Sequence, residues 1–174
     1  MNEGIAGNTV LAPGIGGGPS AEDRLDRDVL ALSGLTSVVW LEGGADIGLQ
    51  GATAAQVIAG LQNVVGRLRA KGTIVVGCTI TSALNCASFP SDGTPDVDNR
   101  RWAVNAFIRS HGPGTGFYHS IADMDAATLD PISGELQAAF VPNSTKGGPG
   151  DKLHPNRAGY QAMANTVDLK VRFC

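Results

Sequence analysis

S-V-V-W-L at residues 37–41, T-A-A-Q-V-I-A-G-L-Q-N-V-V-G-R-L-R-A-K-G at 53–72 and T-I-V-V-G-C-T-I at 73–80 together decide the fold. The first and third runs are short, apolar and rich in β-branched residues, which marks buried strands. Between them, Val57, Ile58, Leu61, Val64, Val65 and Leu68 recur at helical spacing, so one face of a helix over 53–71 is apolar. Thr53 with Gln56 forms a capping-box pattern, and Gly72 ends the segment. A strand, a helix and a strand in this order imply a parallel pair joined by a crossover.

The same alternation extends outward. Ser20 is a good N-cap for a short amphipathic helix over 21–32 carrying Leu25, Val29, Leu30 and Leu32. Val97, Arg101, Val104, Phe107 and Ile108 mark a helix that stops at Gly112-Pro113, and T-G-F-Y-H-S-I at 115–121 is a weaker third strand. Asn156 to Leu169 reads as a terminal helix with Tyr160, Met163 and Val167 on one face. The class is therefore α/β, a parallel sheet with helices on both faces. In such sheets ligands lie beyond the carboxyl ends of the strands, so the loops after residues 43, 80 and 121, together with 144–156, are expected to converge.

Composition limits the function. The chain has 174 residues, is 43% hydrophobic and only 17% charged, and carries 13 Lys and Arg against 16 Asp and Glu, a net charge of −3. That suits one domain with a sizeable core, and no basic block is present to neutralise phosphates, so nucleic acid is not expected as a partner. No apolar run reaches the roughly 18–20 residues that cross a bilayer, so no membrane partner is expected, and Met1-Asn2-Glu3-Gly4 does not read as a signal peptide. Gly14 to Gly18 lacks the Gly-Lys-Ser/Thr of a phosphate loop, and no cofactor is expected. His119 and Asp123 have the spacing of a metal pair but no third ligand, and read as surface polar residues. Arg100-Arg101 reads as a solvated helix face, and Trp40 and Trp102 as core packing. Cys78 and Cys86 are either a bridge or two buried thiols, with Cys174 left over.

Asp151 and His154 are the chemistry-bearing pair. An Asp three residues before a His can accept from Nδ1–H and leave Nε2 as a general base. The longer string D-K-L-H-P-N-R-A-G-Y-Q-A-M-A from Asp151 to Ala164 resembles the C-terminal motif of the GDSL or SGNH hydrolases. G-I-A-G-N at Gly4 to Asn8 is similar to that family's second motif. G-P-S-A-E-D-R-L-D-R-D-V-L at Gly18 to Leu30 is similar to the helix after it, and L-E-G-G-A-D-I-G at Leu41 to Gly48 to the third, usually G-x-N-D.

The resemblance implies a flavodoxin-like three-layer α/β/α SGNH-hydrolase fold, with residues 1–174 forming the C-terminal portion of one such domain. It implies a serine esterase in which Asp151 orients the base His154 and the Gly7 amide serves the oxyanion hole. The implied substrate is a small ester or an acetylated carbohydrate, and related members are often secreted. Two departures stand out. Ala45 occupies the place of the oxyanion Asn, and losing one such donor costs about 2.7–4 kcal/mol of transition-state stabilisation. No serine lies in G-D-S or in G-x-S-x-G. The motif expected before Gly4 would also bring the first strand, so the 37–41 strand is expected to expose an apolar edge through which the chain self-associates.

Overall fold

The computed structural model describes residues 1–13 and 18–171. Most of the Gly14 to Gly18 stretch, and Cys174, lie outside the described residues. The elements are α1 (Ala21–Leu25), β1 (Ser37–Trp40), α2 (Gly44–Gly48), α3 (Ala54–Ala70), β2 (Ile74–Cys78), α4 (Pro95–Ser110), β3 (Ser120–Ala122), α5 (Met124–Thr128) and α6 (Arg157–Ala164). The strands form a parallel sheet in the order β1-β2-β3, with Val38 opposite Val75 and Val76 opposite Ser120.

Local chemistry sets the helix starts. Ser20 accepts from the Asp23 N–H, and Thr53 and Gln56 form the reciprocal capping box that begins α3. Thr94 caps α4 with Pro95 in its first turn, and the Asn156 side chain accepts from Ala158 and Gly159 at α6. The segment over 21–32 is α-helical only to Leu25 and then loosens into a π-helical turn over Asp26–Leu30. The third strand is later and shorter than its apolar residues suggest, because Gly112–Thr115 form a turn closed by Thr115 N–H to Gly112 O. The terminal helix stops at Ala164; Met163 is buried on its inner face, whereas Tyr160 is 41% exposed.

The two faces of the sheet are covered unequally. Val38, Trp40 and Val75 pack with Leu25, Val57, Leu61, Val64 and Val104 from α1, α3 and α4. On the other face, among the described residues, Val76, Cys78 and Ala122 cluster with Met124 and Met163, and Val167 packs against them. That second layer stops short of β1, leaving Val39 49% exposed. The outer edge of β1 is open as well. Ile74 N–H donates to Thr36 O, so in the parallel ladder Val38 and Trp40 turn their main chains toward β2, and Ser37 and Val39 turn theirs outward. A groove of about 500 Å³ runs beside this edge, between Met1–Gly4 and the side chains of Leu25, Val29 and Leu35.

One arginine departs from the sequence reading. Arg101 is not on a solvated face; it is 3% exposed, donating to Asp98 Oδ1 at 2.8 Å and to Ile80 O at 3.1 Å, and pairing with buried Asp125. Arg109 reaches Asp123 and Asp125, both at 2.8 Å. The cause is α5, a single turn too short to show a periodicity, which carries Asp125 beneath α4. Trp102 is not core: it is 42% exposed and lies under the Arg101 and Arg109 guanidiniums. Cys78 and Cys86 are separate buried thiols, and burial pushes the Cys78 thiol up to about 12.

Asp46 fastens the start of the chain to the sheet. Its buried carboxylate accepts from Val10 N–H at 2.9 Å and from Leu11 N–H at 3.0 Å. Asp46→Ala strands those two N–H groups and is expected to lower unfolding free energy by about 3 kcal/mol, read from urea denaturation; a loss below about 1 kcal/mol contradicts this role. Glu42, beside the groove, has its carboxyl raised from 4.5 to about 7 by burial, with Arg24 opposing and nearby Asp46 adding to the rise. The folded carboxyl holds its proton more tightly than the unfolded one, so stability falls as pH rises from 4.5 to about 7. Glu42→Gln is expected to match wild type at pH 4 and exceed it at pH 8 by up to about 3 kcal/mol; equal curves at both pH values contradict the assignment.

Candidate active site

The carboxyl end of the sheet gathers the loops that the topology directs there. Ile80, just past β2, offers its N–H to Asn105 Oδ1 and its carbonyl to Arg101 and Asn105. The Thr79 hydroxyl binds Asp123 and accepts from the Asp125 N–H, drawing in the turn after β3. From the β1 side, α2 lies against the 81–95 loop so closely that a Cβ on Gly48 would sit 2.5 Å from the Asp92 carboxyl carbon. Any side chain there would displace the Asp92 carboxylate.

The 144–156 loop delivers Asp151 and His154 to the same place. Gly150 adopts φ +79, and a Cβ on it would lie 1.9 Å from Val141 O, so only glycine lets the chain turn here. Lys152 also takes a positive φ of 63, which curls residues 151–154 into a tight turn, and its ammonium pairs with Glu135 at 2.9 Å. Asn156 then clamps the exit by donating to Ala139 O at 3.0 Å and Pro142 O at 2.9 Å. The turn is held at both ends.

Within it, the His154 Nδ1–H donates to Asp151 Oδ2 at 2.7 Å. A carboxylate only accepts, so the contact assigns the ring proton to Nδ1 and leaves Nε2 with its lone pair. The His154 and Leu153 N–H groups donate to Asp151 Oδ1 at 2.8 and 3.0 Å. Asp151 is buried while the His154 side chain remains partly open to solvent. Burial alone would raise the Asp151 pKa; the donors from His154, Ser88 and Leu153 outweigh it and hold the carboxyl well below the usual range.

Ser88 is the member that sequence reasoning missed. Its hydroxyl donates to Asp151 Oδ2 at 2.7 Å, on the oxygen that also holds the imidazole. No motif surrounds it, and only the fold brings a residue 63 positions away to this carboxylate. Being on the Nδ1 side of the ring, Ser88 is not placed to give its proton to Nε2.

The other sequence candidates make no hydrogen bond with this pair among the described residues. Gly7 sits at φ +70 in the exposed loop before α1, next to Asn8, whose side chain accepts from Arg24 Nε at 3.0 Å. Among the described residues no hydrogen bond joins Gly7 to Asp151 or His154. Ala45 lies in the first turn of α2 and carries no donor beyond its main chain. His119 accepts from the Val75 N–H while Asp123 pairs with Arg109, so the two do not form a metal pair. Among the described residues no cluster of His, Cys, Asp and Glu could hold a metal ion, and no helix is long and apolar enough to cross a membrane.

Comparison with known proteins places this architecture. A GDSL-like lipase from Bacteroides thetaiotaomicron superposes with a TM-score of 0.67 at 17% identity, covering 82% of this chain and 64% of that one. A catalytic mutant of an acetylxylan esterase from Geobacillus stearothermophilus gives 0.63 at 19% identity, covering 95% of this chain and 68% of that one. The OSK domain of Drosophila Oskar gives 0.67 at 16% identity, over 96% of this chain and 72% of that one. These likenesses show a common fold, and the chain spans less than two thirds of the length of the Bacteroides lipase. No curated protein matches the sequence. The family model described as GDSL-like Lipase/Acylhydrolase matches residues 1–162, and the chain belongs to that family.

Proposed function

We propose that this chain is the base-bearing part of an SGNH-type ester hydrolase acting on carboxylesters or carbohydrate O-acetyl esters. The observation that carries the reading is the 2.7 Å contact between His154 Nδ1 and Asp151 Oδ2, which leaves Nε2 able to take a proton. In the reaction a serine hydroxyl gives its proton to Nε2 as its oxygen attacks the ester carbonyl. The resulting imidazolium then protonates the departing alkoxide. In the second half Nε2 deprotonates water as its oxygen attacks the acyl carbonyl, and the imidazolium returns that proton to the serine oxygen as the bond to the acyl group breaks and the acid leaves. Asp151 stabilises the imidazolium throughout, and Gly7 N–H is the one oxyanion amide retained.

The attacking serine is not among these residues, and Ala45 removes an oxyanion donor, so the chain as it stands is expected to turn over esters negligibly. The test is p-nitrophenyl acetate hydrolysis together with labelling by a serine-directed fluorophosphonate. No turnover and no label are expected. Hydrolysis that disappears in His154→Ala, with label incorporated, contradicts the absence of a nucleophile. Joining a Gly-Asp-Ser-bearing segment ahead of Met1 is expected to restore hydrolysis that depends on His154.

Two observations favour neighbouring readings. Ala45 lies inside the retained region, which favours a non-catalytic module of this fold that binds an ester or sugar. Binding of acetylated oligosaccharide without turnover, even with the serine segment restored, decides for that reading. The open edge of β1 favours a composite site in which another chain adds a strand and supplies the hydroxyl. The same edge is the surface for self-association, and a well-folded 17.8 kDa monomer in solution contradicts both.

A further inference from the structure

The Asp151 carboxylate has four acceptor positions and all four are taken. Oδ1 receives the Leu153 and His154 N–H groups, and Oδ2 receives the His154 ring at 2.7 Å and the Ser88 hydroxyl at 2.7 Å. Three of these donors come from the turn that carries Asp151 itself. Ser88 comes from the 81–95 loop on the far side of the pair, and that loop is anchored where it touches Asp151. Ala87 N–H donates to the Asp151 carbonyl at 2.9 Å, and Cys86 closes the turn through its N–H to Ala83 O at 2.9 Å and its thiol to Phe89 O at 2.8 Å. Farther along, Asn85 and Lys152 both hold Glu135, tying loop and turn together a second time.

We propose that Ser88 is a positioning residue for the Asp151–His154 pair, its hydroxyl sharing the negative charge of the Oδ2 oxygen that orients the imidazole. The proposal rests on the reading of His154 as the base, and its test needs no turnover. A hydroxyl donated to Oδ2 competes with the imidazole for that oxygen. Removing it concentrates the negative charge on the bond to Nδ1 and strengthens the hold on the imidazolium. The effect runs opposite to that of simple loosening, which would let the ring move away from the carboxylate and give its proton up more easily.

The other ionisable groups on the elements around the pair are identified. Cys86 and Asp92 lie on the same loop, both raised chiefly by burial, and Lys152 is engaged by Glu135. None of them makes a contact with the imidazole comparable to that of Asp151. Ser88 lies on an exposed stretch of the loop, which leaves room for one added methyl group.

The experiment is an NMR titration of the His154 ring in wild type, Ser88→Ala and Ser88→Thr, with the fold of each checked by amide spectra. Ser88→Ala is expected to raise the titration midpoint by about half a unit, roughly threefold tighter proton binding, and Ser88→Thr to retain the wild-type midpoint. A midpoint that stays or falls in Ser88→Ala overturns the proposal, as does a shift of equal size in both variants. Failure of the hydrolase reading shows separately, as absent turnover when a serine segment is restored, and leaves the titration unchanged.

Discussion

The Asp151 carboxylate is the point on which the carboxyl end of the sheet depends. It is buried, and a buried carboxylate is tolerable only when its oxygens are fully engaged. Satisfying it requires the tight turn through Gly150 and Lys152, the approach of the 81–95 loop and a ring nitrogen that donates. Each of these requirements narrows the others. The imidazole is held in one tautomer because the carboxylate can only accept, and the carboxylate keeps its charge because donors surround it. Orientation of the imidazole and stability of the loop junction are therefore one arrangement.

The rest of the molecule serves to bring that junction together. The parallel order β1-β2-β3 places every strand-to-helix loop at the same end. Asp46 binds the N-terminal segment to α2, and the contact of Gly48 with Asp92 carries α2 onto the loop that holds Ser88. A line of direct contacts thus runs from the start of the chain to Asp151, although Gly7 itself makes none with the pair. On the opposite flank, Arg101 and Arg109 fasten α4 to the turn after β3 through Asp125. The layer that covers β2 and β3 does not extend over β1, and among the described residues β1 is an edge strand with no charged side chain.

Much of this was legible in the sequence where the signal is local. The Thr53–Gln56 box, the apolar spacing over 57–68 and the Ser20 cap depend on neighbours within a turn, and they place the start of α1 and the span of α3. The Asp151–His154 contact was legible for the same reason, being three residues long. What was not legible depends on distant partners. Arg101 looks like a surface residue until α5 supplies Asp125, and Ser88 has no distinguishing neighbours in its own loop. The third strand was displaced because its apolar residues, Phe117 and Tyr118, pack as a turn against the core instead of pairing. Asp46 ties Val10 and Leu11 to α2, partners 36 and 35 positions away in the chain.

The central claim is that Asp151 sets the tautomer of His154. The direct measurement is the nitrogen-15 chemical shift of both ring nitrogens, recorded in alkaline solution where the imidazole is neutral. The account predicts a protonated Nδ1 and a bare Nε2 in the wild-type chain, with the proton released to Nε2 in Asp151→Ala. A wild-type ring protonated on Nε2, or a tautomer indifferent to Asp151→Ala, would contradict it.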